Sequence, residues 1–341
     1  MPGLLLDTIR GHKSGQAPVW LMRQAGRYLP EYRALRAEKG GFLDLVYDSD
    51  AAAEVTIQPI RRFGFDGAIL FSDILIVPYA MGQDLQFLAG EGPKLSPRLV
   101  DQHLDILDAV PERLDPVYET VRKVSAQLGK ETTMLGFAGS PWTVATYMVA
   151  GEGSRDQFET RAIAYRDPVA FQAIIDAVIK VTIQYLLGQI AAGAEAVQLF
   201  DSWAGSLAPD EFERWVIAPN AAIVTALAEQ APDVPVIGFP KGAGEKLPAY
   251  ARETGVQAVG VDETLDPVWV AQNLPESMPV QGNLDPLLLL AGGEWMKERA
   301  KQILHAFSDR PHVFNLGHGI SQHTPIAHVE TLLDIVRLWK I

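Results

Sequence analysis

The stretch EAVQLFDSWAGSLAPDEFERWVIAPNAAIVTALAEQAPDVPVIGFPKG, residues 195–242, holds one complete strand–helix–strand unit. Its first part, 195–200, is a short apolar run closed by Asp201 and Ser202. Apolar residues then recur at helical spacing over 209–228, with Pro209 at the start, where a helix tolerates a missing N–H. A second apolar run, 234–239, is closed by Pro240. Both runs are too short for periodicity to separate strand from helix. Their β-branched content and sharply bounded ends favour strand.

The same punctuation continues in both directions. Further strands are expected at 19–22, 67–71, 132–137, 258–261, 279–282 and 312–316, which makes eight with the two above. Helices are expected between them, most clearly at 167–190, which opens with Asp167 then Pro168, and at 294–307. Eight strands alternating with helices predict an α/β fold, a parallel (β/α)8 TIM barrel, with 1–341 as a single domain. The rival is an open doubly wound sheet. Its dinucleotide-binding form loses support because no Gly-x-Gly-x-x-Gly follows the first strand.

Composition narrows the function. With 341 residues, 48% of them hydrophobic, the chain can bury a large core. It contains no cysteine, so disulfides, thiolate metal sites and cysteine nucleophiles are excluded. The start, MPGLLLDTIRGHK, lacks the basic-then-apolar pattern of a signal peptide, and the longest pure aliphatic run, 287–290, is far short of a membrane span. A cytoplasmic protein without a membrane segment is expected. The net charge of −13 argues against nucleic-acid binding. Residues 1–40 nevertheless carry seven Lys or Arg against Asp7, Glu31 and Glu38. That local excess is either a solvated helix face or a patch kept for an anionic ligand.

In a parallel barrel the chemistry gathers at the carboxyl ends of the strands. The residues leaving the expected strands are Arg23, Gln24 and Arg27; Ser72 and Asp73; 139–142; Asp201 and Ser202; Lys241; Asp262; 283–285; and His318. Arg23 and Arg27 flank Gly26, which permits a sharp turn or a close approach. Paired guanidinium forks suit carboxylates. Asp73 is either a helix cap or a charged site residue. His318 lies between two glycines, which suggests close approach by a ligand or by backbone. No spacing among His312, His323 and His328 makes a metal triad, and no Gly-x-Ser-x-Gly surrounds Ser202.

The segment MRQAGRYLPEYR, 22–33, resembles the amino-terminal signature of the uroporphyrinogen decarboxylases. GFAGSPWT at 136–143, continuing to Thr146, Tyr147 and Met148, is similar to that family's second signature. FSDIL (71–75), FDSWAG (200–205), GFPKG (238–242), QGNLD (281–285) and NLGHG (315–319) extend the resemblance, in order, over nearly the whole chain. The resemblance implies a single distorted barrel that forms a homodimer, uses no metal or organic cofactor, and converts uroporphyrinogen to coproporphyrinogen on the haem and chlorophyll route.

The substrate so implied needs no cofactor. Protonating the pyrrole carbon beside an acetate makes a cationic ring that accepts the electrons released with carbon dioxide. The enzyme must supply a proton donor, charge stabilisation and a grip on the other carboxylates. By resemblance, Asp73 is the central aspartate and faces the pyrrole N–H groups. Arg23 and Arg27 grip carboxylates, and Arg23 also lies near the reacting one. Gln24, Ala25 and Gly26 add backbone or amide contacts, and Tyr147 a phenol. Ser202 and His318 can hydrogen-bond substrate, or serve as a cap and a structural histidine. Arg36 matches a further family arginine, yet is equally readable as a solvated helix residue, so Arg27 is expected to matter more for binding. Two rivals are weighed. A zinc-dependent thiol methyltransferase of the same superfamily needs the cysteine this chain lacks. A non-catalytic tetrapyrrole-binding barrel would not need Asp73.

Overall fold

The computed structural model describes residues 3–88, 92–102, 111–154 and 156–340. Seven parallel strands form one curled sheet in the order β1 (Gly67–Ile69), β4 (Thr133–Gly139), β5 (Ala196–Asp201), β6 (Val236–Pro240), β7 (Ala258–Gly260), β8 (Val280–Leu284) and β9 (His312–Leu316). An antiparallel hairpin, β2 (Asp84–Leu88) and β3 (Gly92–Ser96), stands apart from it. The α/β barrel expectation holds, and seven of the eight expected strands fall within two residues of their expected ends. β1 is shorter, ending at Ile69 rather than 71.

The eighth strand is the exception. Segment 19–22 contributes a single parallel bridge, Val19 to Phe314 of β9. Side chains capture the donors a ladder would use. Val19 N–H goes to Asp66 Oδ2 (2.7 Å), Leu21 N–H to Gln24 Oε1 (3.1 Å) and Met22 N–H to Asn315 Oδ1 (2.9 Å). The segment still joins both edges of the sheet, because Asp66 N–H, just before β1, donates to Val19 O (3.0 Å) and Phe314 N–H donates to Pro18 O (2.8 Å). Inside the ring, Trp20 Nε1–H donates to Gln281 Oε1 (3.0 Å) and Gln281 Nε2–H to Gln198 Oε1 (3.1 Å). Side chains from the closing segment, β8 and β5 thus meet in the middle, as an interior packed by inward-facing residues requires.

Helices cover the outside. The expected helix at 167–190 runs Pro168–Ala192, with Asp167 Oδ1 capping Ala170 N–H. It is long and apolar enough to span a membrane by length and composition. Here its Phe171, Ile174, Val178, Tyr185 and Leu186 are buried within the protein core. The helix expected at 209–228 is broken instead. A short turn at Pro209–Phe212 leads into a π-helical turn, Glu213–Ile217, before the helix resumes at Ala218–Gln230. Pro219 accounts for the break: it has no N–H to give and its ring crowds the carbonyl four residues back. Trp215, buried there, packs edge-on against Phe171 (centroids 4.8 Å), a pair worth about 0.5–1.5 kcal/mol beyond its buried area.

The hairpin β2–β3 was not anticipated, although Leu85 and Leu95 are buried opposite one another between less buried neighbours. Phe87 from it packs on Phe42 (4.4 Å), which packs on Phe71 just after β1 (5.5 Å). The hairpin therefore borders the carboxyl end of the sheet.

Candidate active site

Alternation along the strands decides which exit residues face inward. Gln198 points into the barrel, so Phe200 and Ser202 on the same face do too. The neighbouring strand places Phe239 in register with Phe200 and carries Lys241 two residues beyond. Asp201 falls on the opposite face. It is fully buried against the surrounding helices, with Oδ1 2.5 Å from Thr143 Oγ1. Burial pushes its pKa up to about 7, and its hydrogen bonds only partly offset this. Its Oδ2 has no partner among the described residues. Asp201 is therefore a supporting residue. Thr143 Oγ1 also accepts Trp203 N–H (3.2 Å), and Trp203 packs edge-on against Tyr147 (5.5 Å).

Asp73 leaves β1 by a turn in which Leu75 N–H donates to its Oδ1 (2.8 Å). The carboxylate thus braces the turn that follows the strand through one of its oxygens. It keeps part of its surface open but is ringed by protein. Burial raises its pKa to about 6; the Leu75 hydrogen bond and the nearby Arg23 charge pull the other way. Tyr147 projects from the helix Pro141–Ala150 and is half-buried. Burial first, then Asp73, raises its pKa, so the phenol remains a donor at neutral pH. Ser140 immediately precedes that helix, and its hydroxyl donates to Asn220 Oδ1 (2.9 Å).

Arg23 adopts φ 61°, a left-handed conformation few non-glycine residues take. The frame around it enforces this. Met22 N–H is held by Asn315, Met22 O accepts Ile320 N–H (2.9 Å), and the buried Gln24 donates to Gly67 O (2.8 Å). Both ends of the Gln24 amide are engaged in the frame, so its side chain builds the site from beneath. Ala25 and Gly26 are half-exposed, and a Cβ on Gly26 would stand 3.0 Å from Arg23 O.

His318 is half-buried and lies parallel to the Phe239 ring (6.4 Å). Burial, Arg23 and Lys241, in that order, lower its pKa to about 3, so it is neutral at physiological pH. The close approach suggested by its flanking glycines is by protein. A Cβ at 317 would stand 2.2 Å from Glu263 N, and one at 319 would stand 2.4 Å from Arg23 Cδ.

Arg23, Asp73, Tyr147, Ser202 and His318 thus share the carboxyl end of the barrel. Arg27 is exposed, and none of the described hydrogen bonds or ion pairs engages its guanidinium. Arg36 reverses the expected order of exposure. It is half-buried, donates to Tyr32 OH (3.3 Å) and lies 5.8 Å from the centre of the Phe42 ring. Other exit residues tie loops. Asp262 accepts Gly242 N–H (2.6 Å), Asn283 donates to Asp262 O and Leu265 O, and Asp285 caps Leu287 (2.7 Å). Trp203 and Phe239 escaped sequence reasoning as lining residues. Their only signal was position, beside Ser202 and before Lys241.

The family model described as uroporphyrinogen decarboxylase matches residues 3–339. A uroporphyrinogen decarboxylase of Novosphingobium aromaticivorans is 76% identical over 340 residues, covering 100% of both chains. One from Erythrobacter litoralis is 72% identical with the same coverage. Among solved structures, a methyltransferase from Methanosarcina mazei superposes with a TM-score of 0.80 at 18% identity, covering 98% of each chain, which speaks for the fold alone.

Proposed function

The chain belongs to the uroporphyrinogen decarboxylase family, and from that premise we propose how its barrel mouth removes the four acetate carboxyl groups of uroporphyrinogen III as carbon dioxide to give coproporphyrinogen III. The observation that carries the assignment of roles is Asp73: a partly buried carboxylate with one oxygen fixed by Leu75, and Arg23 and Tyr147 close enough to influence its charge or feel it. Asp73 accepts hydrogen bonds from the pyrrole N–H groups. A proton adds to the ring carbon next to the one that bears the acetate arm, and the ring becomes cationic while the arm stays conjugated to it. The bond to the carboxylate breaks, its electron pair neutralises the ring, and carbon dioxide leaves. A second proton converts the exocyclic carbon to methyl as the ring carbon loses its own. Asp73 opposes the developing positive charge in a site of low polarity, where such charge stabilisation is strongest.

Arg23 holds the reacting acetate until it breaks away. Its guanidinium stays charged, so it binds and orients rather than delivering the proton. Tyr147 and Ser202 donate to substrate carboxylates. Neutral His318 offers a ring nitrogen without adding a positive charge that would oppose the cationic intermediate. Arg27 and the loop backbone at Ala25 and Gly26 meet the outer carboxylates. This chemistry asks for no metal or organic cofactor.

The same reading treats 1–341 as one domain working as a cytoplasmic homodimer. Among the described residues, one hydrophobic cluster running from Leu5 to Val336 supports the first part. Exposed Phe158 (67%), Tyr165 (58%) and Val169 (80%), on adjoining helices, support an apolar contact face. Incubation of metal-stripped protein with uroporphyrinogen, counting carboxyl groups by mass, tests the reaction. Product with four carboxyl groups is expected, and unchanged substrate would overturn the assignment. Sedimentation showing only monomer at micromolar concentration would remove the homodimer.

A further inference from the structure

Lys241 leaves β6 on the inward face, one layer above Phe239. Counting the closing segment as the eighth member, β6 stands four places round the ring from the segment that carries Arg23. The two cations therefore occupy opposite rims of the mouth, with His318 between them and stacked on Phe239. The backbone of Lys241 is fixed on every side. Its N–H donates to Asp201 O (3.0 Å), its carbonyl accepts Gly205 N–H (3.0 Å), and the next residue is tied to Asp262 (2.6 Å). The ammonium itself is only loosely engaged, 3.8 Å from Glu263 Oε1, and about 29% of the side chain is exposed. A rigidly mounted, weakly paired cation facing a mouth is suited to an anion that arrives and leaves.

We infer that Lys241 binds a carboxylate on the pyrrole ring opposite the one undergoing decarboxylation, with Glu263 as the internal anion that this carboxylate displaces. The inference rests on the decarboxylase reading above. A cyclic tetrapyrrole carries carboxylates on all four rings, so holding one edge at Arg23 presents others to the far rim. The protein carries a net charge of −13, and each cation at the mouth counts strongly toward holding a polyanion.

The test is steady-state kinetics of wild type, Lys241→Met, Lys241→Arg and Glu263→Gln with uroporphyrinogen, at low and moderate salt. Losing a charge-assisted contact should raise KM roughly tenfold in K241M, with K241R recovering most of it. Removing the competing anion in E263Q should lower KM severalfold, and the difference should shrink with salt. The opposite signs separate this from a merely structural ion pair, in which both variants would lose stability and neither would improve binding. A KM within twofold of wild type in folded K241M overturns the inference, as does a raised KM in E263Q. Should K241M not fold, the direction in E263Q decides. Coproporphyrinogen as a competing ligand tells whether the carboxylate is a propionate, retained in product, or an acetate. Wild-type protein that released no carbon dioxide would defeat the decarboxylase reading instead, so the two failures are distinguishable.

Discussion

The stem of Arg23 lies directly on Gly319, so close that a Cβ at 319 would stand 2.4 Å from Arg23 Cδ and 2.8 Å from its Cγ. The loop after β9 and the turn that carries Arg23 are thereby locked to each other across the closure of the barrel. Gly319→Ala should displace the guanidinium while leaving the fold intact, because the clash is with a side chain. KM for uroporphyrinogen should rise by roughly tenfold, the scale of one lost charge-assisted contact. Thermal melting should change little. Wild-type kinetics in this variant would show that the position of Arg23 is unimportant.

Asp73→Asn keeps the oxygen that accepts from Leu75 and removes the charge. Turnover should fall roughly a hundredfold or more, while apparent affinity changes less, since the ground-state pyrrole is neutral. Stability should hold or rise, because burial raises the carboxyl pKa and the ionised form is the costly one in the folded state. Turnover within a few fold of wild type on a folded variant would sink the assignment.

The pH profile follows from the same shift. With Asp73 titrating at about 6 and needed as a carboxylate, kcat/KM should fall as pH drops below about 6. His318, held near 3, is already neutral there. His318→Asn should lower activity without moving that limb. A limb that disappears with the histidine would reverse the two roles.

Asp201 makes a prediction about stability. Its pKa rises from an ordinary 3.8 to about 7 on folding, so the folded chain binds a proton the unfolded chain has lost. Stability from this group is full below about pH 4 and is lost as pH rises toward 7, a change on the order of a few kcal/mol. Asp201→Asn keeps an acceptor for Thr143 and removes the titration. Denaturant unfolding between pH 5 and 8 should show a shallower decline in the variant; identical slopes would count against a buried, titrating Asp201.

The two outer arginines can be separated by binding measurements. Arg36 packs on Phe42 beside the mouth, whereas Arg27 is exposed, so Arg36→Ala should weaken binding at least as much as Arg27→Ala. It should also cost some stability through lost packing. A much larger loss in Arg27→Ala would restore the expectation drawn from sequence spacing alone.

Strand–helix alternation was legible because burial on both faces writes apolar runs into the sequence, and so 312–316 is recovered to the residue and β4–β8 nearly so. The candidate site residues could be grouped from sequence because a parallel barrel gathers its strand exits at one end, whatever their sequence separation. Three matters were settled only by tertiary structure. Segment 19–22 has the composition of a strand, but Asp66, Gln24 and Asn315 take its backbone donors, and two of those three are far away in sequence. Asp201 and Ser202 are adjacent letters, yet the period-two pleat sends one into the helices and the other into the mouth. The glycines around His318 signalled a close approach without naming its source. Sequence determined that something had to come near; only the packing of Glu263 and Arg23 from other strand ends decided what it was, because a missing Cβ records the space and not its occupant.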